Sequence, residues 1–122
     1  MPTWIVVAIC GVFGVLARYG IDRAFQFGSG SSPFITMIIN LVGCFLAGVV
    51  FTLGQREILS SELQIGLLVG FCGGFTTFSA FALHSMRLLE MGFIRPAVLS
   101  FVLSPIFGLI AVAAGMAAAR AR

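Results

Sequence analysis

Gly73-Gly74-Phe75-Thr76-Thr77-Phe78-Ser79-Ala80-Phe81 stands in the middle of an apolar segment that runs from Leu63 to about Met86. The segment is long enough to cross a hydrocarbon core, which takes about 20 helical residues. Its centre opposes a helix. Glycine loses the most backbone entropy on becoming helical, and Thr and Ser compete for the backbone's own hydrogen bonds. Lipid offers no water to an unpaired backbone group, so a break there is tolerated only where it lines a cavity or meets an ion. The stretch from Gly73 to Ser79 is therefore expected to be unwound. Its freed carbonyls would serve a cation, and the neighbouring hydroxyls and N–H groups an anion. Close helix packing through small residues is the competing account. It explains Gly66 and Gly70 but not Gly-Gly followed by Thr-Thr.

Working outward, three further apolar runs flank this one: Trp4 to Ile21, Phe34 to about Gly54, and Pro96 to about Ala119, with Pro105 inside the last. A Gly/Ser/Pro turn is expected from Gly28 to Pro33. The chain has 122 residues, 60% of them hydrophobic and 9% charged, which leaves too little polar surface to coat a soluble domain. The expected fold is a single all-α membrane domain over residues 1–122 with four transmembrane helices, the third broken mid-membrane. Met1-Pro2-Thr3-Trp4 lacks a positive leader, and the first run is read as a helix that stays.

Several functions fall away on composition. The seven basic residues are all Arg and sit mostly at span ends, without the clustered bases and aromatics of a nucleic-acid surface. The three cysteines, Cys10, Cys44 and Cys72, lie inside spans without metal-ligand spacing and are read as small apolar fillers. No apolar run contains a carboxylate, and the single histidine has no Ser or Cys at usable spacing, so an enzyme is not expected.

Loop arginines decide how a small membrane protein inserts. Arg56, Arg120 and Arg122 fall on one side of four spans and Arg23, Arg87 and Arg95 on the other, leaving aside the near-membrane Arg18. With no bias, both orientations are expected, and two opposed copies can pair about a two-fold axis in the membrane plane.

Candidate chemistry sits on few residues. Phe71, Phe75, Phe78 and Phe81 share one helical face. Such a stripe serves lipid contact or packing, or, in a confined polar path, presents positive ring edges to a dehydrated anion. Phe78 and Phe81, after the expected break, suit the second role, and Phe71 and Phe75 the first. Asn40 is the one amide in the run from Phe34 to about Gly54, with Thr36 a turn before it. It either bonds a neighbouring helix or donates its N–H groups to a passing anion. Ser104 extends that polar track or bonds back to its own helix. Arg18 either draws anions to a pore mouth or anchors its helix end, and His84 is a polar end-of-span residue or a pH-responsive one.

These motifs resemble those of the fluoride channel family known as Fluc or CrcB, over the whole chain. The first run resembles the family's G-x-x-x-R-Y end in Gly14, Arg18 and Tyr19, with Cys10 and Val15 where the family often has Gly and Ala. The second resembles T-x-x-x-N-x-x-G-x-F in Thr36, Asn40, Gly43 and Phe45. The third resembles the signature G-G-F-T-T-F-S-T-F with one change, Ala80.

The resemblance implies a plasma-membrane, dual-topology homodimer with two parallel anion pores that passively export fluoride. It also implies a central Na⁺ held by the carbonyls of Gly73 and Thr76 from each copy. Phe78 and Phe81 would supply ring edges, Asn40 would donate to fluoride, and Thr77 and Ser104 would lie along the polar track, with Arg18 and Thr36 in support. His84 stands where many members have glutamate, and Ser100 where a tyrosine is expected. Two other readings remain. A small multidrug-resistance-type antiporter is also a four-helix dual-topology dimer but depends on an embedded glutamate, whereas Asp22, Glu57, Glu62 and Glu90 all lie at span ends. A non-transporting assembly subunit would leave cellular fluoride tolerance untouched by Asn40→Ala or Phe81→Ile.

Overall fold

The computed structural model describes residues 1–26 and 32–121, so most of the expected Gly28 to Pro33 turn lies outside the described residues. Four helical spans long and apolar enough to cross a membrane are present: Thr3–Ala24, Pro33–Gln55, Ser61–Glu90 and Ile94–Arg120. The first two are helices α1 (Thr3–Ala24) and α2 (Pro33–Gln55), the latter opened by Pro33, whose missing N–H is harmless in a first turn. The third is composite. It starts as α3 (Ser61–Ile65), capped by the Ser60 hydroxyl on the Leu63 N–H, and passes through a π-helical stretch, Gly66–Cys72. It then closes in the short α4 (Gly73–Phe75) and restarts as α5 (Phe78–Glu90). The fourth is α6 (Ile94–Arg120), which runs through Pro105 without interruption.

The spans meet through glycine, not through a large apolar core. A Cβ on Gly14 would collide with the Phe71 carbonyl oxygen, and one on Gly70 with that of Val7. On the other side of the chain, Gly48 faces the Val112 carbonyl and Gly115 the Phe45 carbonyl at comparably close approach. Lipid is as apolar as leucine, so helices associate by close van der Waals contact, and missing side chains bring the backbones together. The interior is correspondingly small: Ile39, Cys72, Phe75, Ala97 and Ala119 are buried, while most large apolar residues face outward. Arg56 ties the bundle at one end, its Nη1 donating to the Ala119 carbonyl at 2.7 Å, where the negative end of α6 favours a cation.

Two helix ends are closed alike with different residues. After α5, Phe93 N–H bonds the Leu88 carbonyl and Gly92 N–H that of Leu89, with Gly92 at φ 84°. After α2, Ile58 N–H bonds Leu53 and Glu57 N–H bonds Gly54, but Glu57 takes the left-handed conformation at φ 57°. That conformation costs a residue with a Cβ roughly 1–2 kcal/mol, part of which glycine's greater unfolded-state freedom takes back. Glu57→Gly is accordingly expected to stabilise by roughly 0.5–1 kcal/mol, read as a higher thermal midpoint in detergent.

Thr52 offers a second test of stability, in the interior. It is 2% exposed, and its hydroxyl has no partner among the described residues. Thr52→Val keeps the shape and removes an unsatisfied group, so a gain of about 1 kcal/mol is expected by the same measurement. A loss of similar size would reveal a partner for that hydroxyl.

Candidate functional site

The break is narrower than the expected Gly73 to Ser79. Gly73, Gly74 and Phe75 remain helical, as do Phe78 and Ser79, and only Thr76 (φ −82°, ψ 157°) and Thr77 (φ −148°, ψ 113°) are extended. Two residues suffice because side chains from other helices satisfy the backbone around them. Thr76 ends α4 with its N–H and its hydroxyl both on the Cys72 carbonyl, at 3.0 and 2.8 Å. The N–H of Thr77 would meet the Gly73 carbonyl in a continuous helix. It donates instead to Asn40 Oδ1 at 2.8 Å, while Asn40 Nδ2 donates to the Thr77 carbonyl at 3.1 Å. One side-chain amide thus replaces the helical acceptor of the Thr77 N–H and adds a donor on its carbonyl. Thr77 then caps α5, its hydroxyl accepting the Ala80 N–H at 3.3 Å.

Arg18 also turns to this break. Its Nε donates to the Gly74 carbonyl at 3.1 Å, placing a positive charge at the end of α4, where carbonyls are released. Gly43 lets α2 come close, since a Cβ there would meet the Thr76 methyl group.

Six of the candidate residues converge, the five of the expected anion path and Thr76 of the expected Na⁺ site. Asn40, Thr77, Phe78, Phe81 and Ser104 line one cavity of about 270 Å³, together with Cys44, Thr76 and Pro105. Phe81 lies between two other rings, 6.1 Å from Phe78 at 50° and 5.3 Å from Phe101 at 48°, so ring edges as well as faces are presented. Phe71 and Phe75 instead stack on each other at 5.7 Å and 11°, with Phe75 buried, so the stripe of four divides at the break. Phe78 is 74% exposed, leaving the cavity half open on the surface of the single chain.

The other candidates lie apart from this cavity. Thr36 is buried one turn away and contacts His84 Nε2 at 3.2 Å. Gly73 is on the exposed side of α4, where a Cβ would meet only the Leu68 carbonyl at 3.9 Å. Cys44 was read only as filler, although it stands four residues after Asn40, on the same helical face. Ser100 stands in the same relation to Ser104.

A four-span helical protein whose third span parts around an amide, hydroxyls and ring edges belongs to the class of membrane channels and transporters. Residues 5–116 match the model of the family described as CrcB-like protein, Camphor Resistance (CrcB), and the chain belongs to that family. It is similar to the fluoride-specific ion channel FluC of Geobacter sulfurreducens, with 36% identity over 122 residues covering 98% of each chain. It is 42% identical over 101 residues to the fluoride-specific ion channel FluC of Geobacter metallireducens, covering 80% of this chain and 82% of that one. The protein is a multi-pass membrane protein and not an enzyme.

Proposed function

We propose that the chain is a passive, fluoride-selective channel that exports fluoride from the cytoplasm along the cavity formed by Asn40, Thr77, Phe78, Phe81 and Ser104. The observation that carries this reading is the convergence of those five side chains on one opening beside the break. Fluoride is small and strongly hydrated, so crossing requires donors spaced closely enough that each is given up as the next is met. Asn40 has a second N–H beyond the one bonded to Thr77, and the Thr77 and Ser104 hydroxyls continue the series. The edges of Phe78 and Phe81 add weak positive potential without a grip too tight to release.

The proposal includes an antiparallel homodimer with two pores. The Ser79 hydroxyl lies exposed at mid-span, bonded to the Thr77 hydroxyl at 3.4 Å, and lipid would offer its remaining hydrogen-bonding capacity nothing. A second copy over this face would cover it, complete the half-open cavity and give Gly73 a reason to lack a side chain. The balanced arginines supply both orientations.

A central Na⁺ fits the residues present. The Gly73 carbonyl has lost its helical donor to Asn40, and Thr76 is extended, so both oxygens can turn to a hard cation, with a second copy supplying the remainder. Such an ion would join the subunits and offset the cost of an anion at mid-membrane. Arg18, on the neighbouring Gly74 carbonyl, keeps that oxygen out of the set.

Proteoliposomes loaded with fluoride test the function. Purified protein is expected to release fluoride rapidly and to retain chloride under the same gradient. Equal retention of fluoride with and without protein would reject the channel.

A further inference from the structure

On the α2–α6 pair, away from the break, Phe45, Val49, Leu53, Ala118 and Ala119 line a groove of about 330 Å³ that shares no residue with the candidate path. Phe45, Val49 and Leu53 recur every four residues and so share one face of α2, and the alanine methyls opposite are too small to fill the space beside them. From Phe45 to Leu53 the groove runs about 12 Å along the helix axis, against about 15 Å for half of a hydrocarbon core. Its inner end lies little more than a turn after Asn40, which holds the mid-span break, and its outer end lies within a turn of Arg56, which closes α2. Its depth is that of one leaflet. Arg56 stands over the outer end. Its Nη1 donates to the carbonyl of Ala119, a residue of the groove, at 2.7 Å, and the rest of its guanidinium N–H groups have no partner among the described residues. Arg120 and Glu57 flank it with opposite charges, so attraction at a distance is small and recognition falls to contact. A planar fork of donors matches two oxygens of a phosphate.

We propose that this groove is a lipid site: it holds one phospholipid of the adjoining leaflet, with the phosphate on Arg56 and an acyl chain along Phe45, Val49 and Leu53. The inference stands apart from the channel reading, since none of these residues lines the candidate path. An extended polypeptide laid here would need partners for its backbone, which a wall of apolar side chains does not offer. A hydrocarbon tail has no such need, and it enters from one leaflet only. Bound there, the lipid bridges α2 and α6 and stabilises the folded bundle by mass action.

The test titrates the whole chain, depleted of lipid in detergent, with phosphatidylglycerol, with diacylglycerol of the same tails and with glycerol phosphate, reading the lipid retained per chain by native mass spectrometry and the thermal midpoint. Phosphatidylglycerol is expected to be retained as a single molecule per chain and to raise the midpoint. The other two each lack half of what the site recognises and are expected to be held at least about tenfold less tightly. Arg56→Gln removes the fork, and Ala118→Phe fills the groove from an exposed position. Each is expected to weaken retention of phosphatidylglycerol by about tenfold or more, compared below the thermal midpoint of every variant because Arg56→Gln also loses the Ala119 bond. Diacylglycerol or glycerol phosphate held as tightly as phosphatidylglycerol, or wild-type retention in either variant, overturns the site. So does conversion of a dimer to a monomer by Ala118→Phe, which would make the groove the seat of a second copy.

Discussion

Gly115→Leu is expected to abolish the folded protein, leaving little or no monodisperse material after detergent extraction. A Cβ at this position would overlap the Phe45 carbonyl oxygen and come within 3.1 Å of the Val49 N–H, both main-chain atoms that no rotamer change can move. The reciprocal contact, Gly48 against the Val112 carbonyl and 3.0 Å from the Met116 N–H, lies on the same crossing of α2 and α6. Overpacking a soluble core costs about 1–3 kcal/mol, and sometimes more. Here the penalty sits at the upper end, because the helices must separate along their closest line and lipid supplies no hydrophobic force to hold them together. The Arg56 bond to Ala119 would be strained by the same movement. Gly20→Ala is the matched control: nothing lies within 4 Å of a Cβ there, and α1 should gain the roughly 1 kcal/mol by which alanine exceeds glycine in a helix. Equal yields of Gly115→Leu and Gly20→Ala would mean that α2 and α6 do not cross through these glycines.

The four spans and the place of the break were legible because hydropathy and glycine content are local properties. Gly-Gly followed by Thr-Thr marks where a helix is weak. It does not say how many residues leave it, because that depends on what arrives from other helices. Asn40 and Arg18 arrive, from 37 and 56 residues away, and satisfy the backbone closely enough for Gly73 and Gly74 to stay helical. The π-helical stretch over Gly66–Cys72 was equally hidden, since a change of hydrogen-bond register leaves no trace in composition.

Arg18 illustrates the same limit. Its position late in the first span left two roles open, drawing anions to a pore mouth or anchoring the helix end, and both place it near the membrane surface. The third span, however, has 30 residues and the packing of Gly14 on Phe71 sets Arg18 beside the middle of that span, not its end. For Asn40 the sequence left two roles open, a bond between helices and donation to an anion. The structure supplies the bond, and the amide's remaining N–H keeps the second role available.

Under the proposed channel function, that pairing of a clamp with a spare donor makes Asn40→Ala the substitution with the largest expected effect on transport. Alanine would strand the N–H of Thr77, at about 1–3 kcal/mol for a buried group left unpaired. The chain has an inexpensive escape: the Thr77 N–H can return to the Gly73 carbonyl and rewind the break. Rewinding would rotate Phe78 and Phe81 out of their present relation to Ser104 and withdraw the Gly73 oxygen from any cation. Fluoride efflux from proteoliposomes is therefore expected to fall by on the order of a hundredfold, equivalent to about 2.7 kcal/mol in the barrier. Asn40→Asp separates the two duties. A carboxylate still accepts the Thr77 N–H and should recover thermal stability relative to alanine, yet it places negative charge in the proposed anion path and should conduct no better. Wild-type flux in Asn40→Ala would show that neither the clamp on Thr77 nor the spare N–H takes part in conduction. Recovery of flux along with stability in Asn40→Asp would show that the clamp alone matters and that fluoride passes without the amide's help.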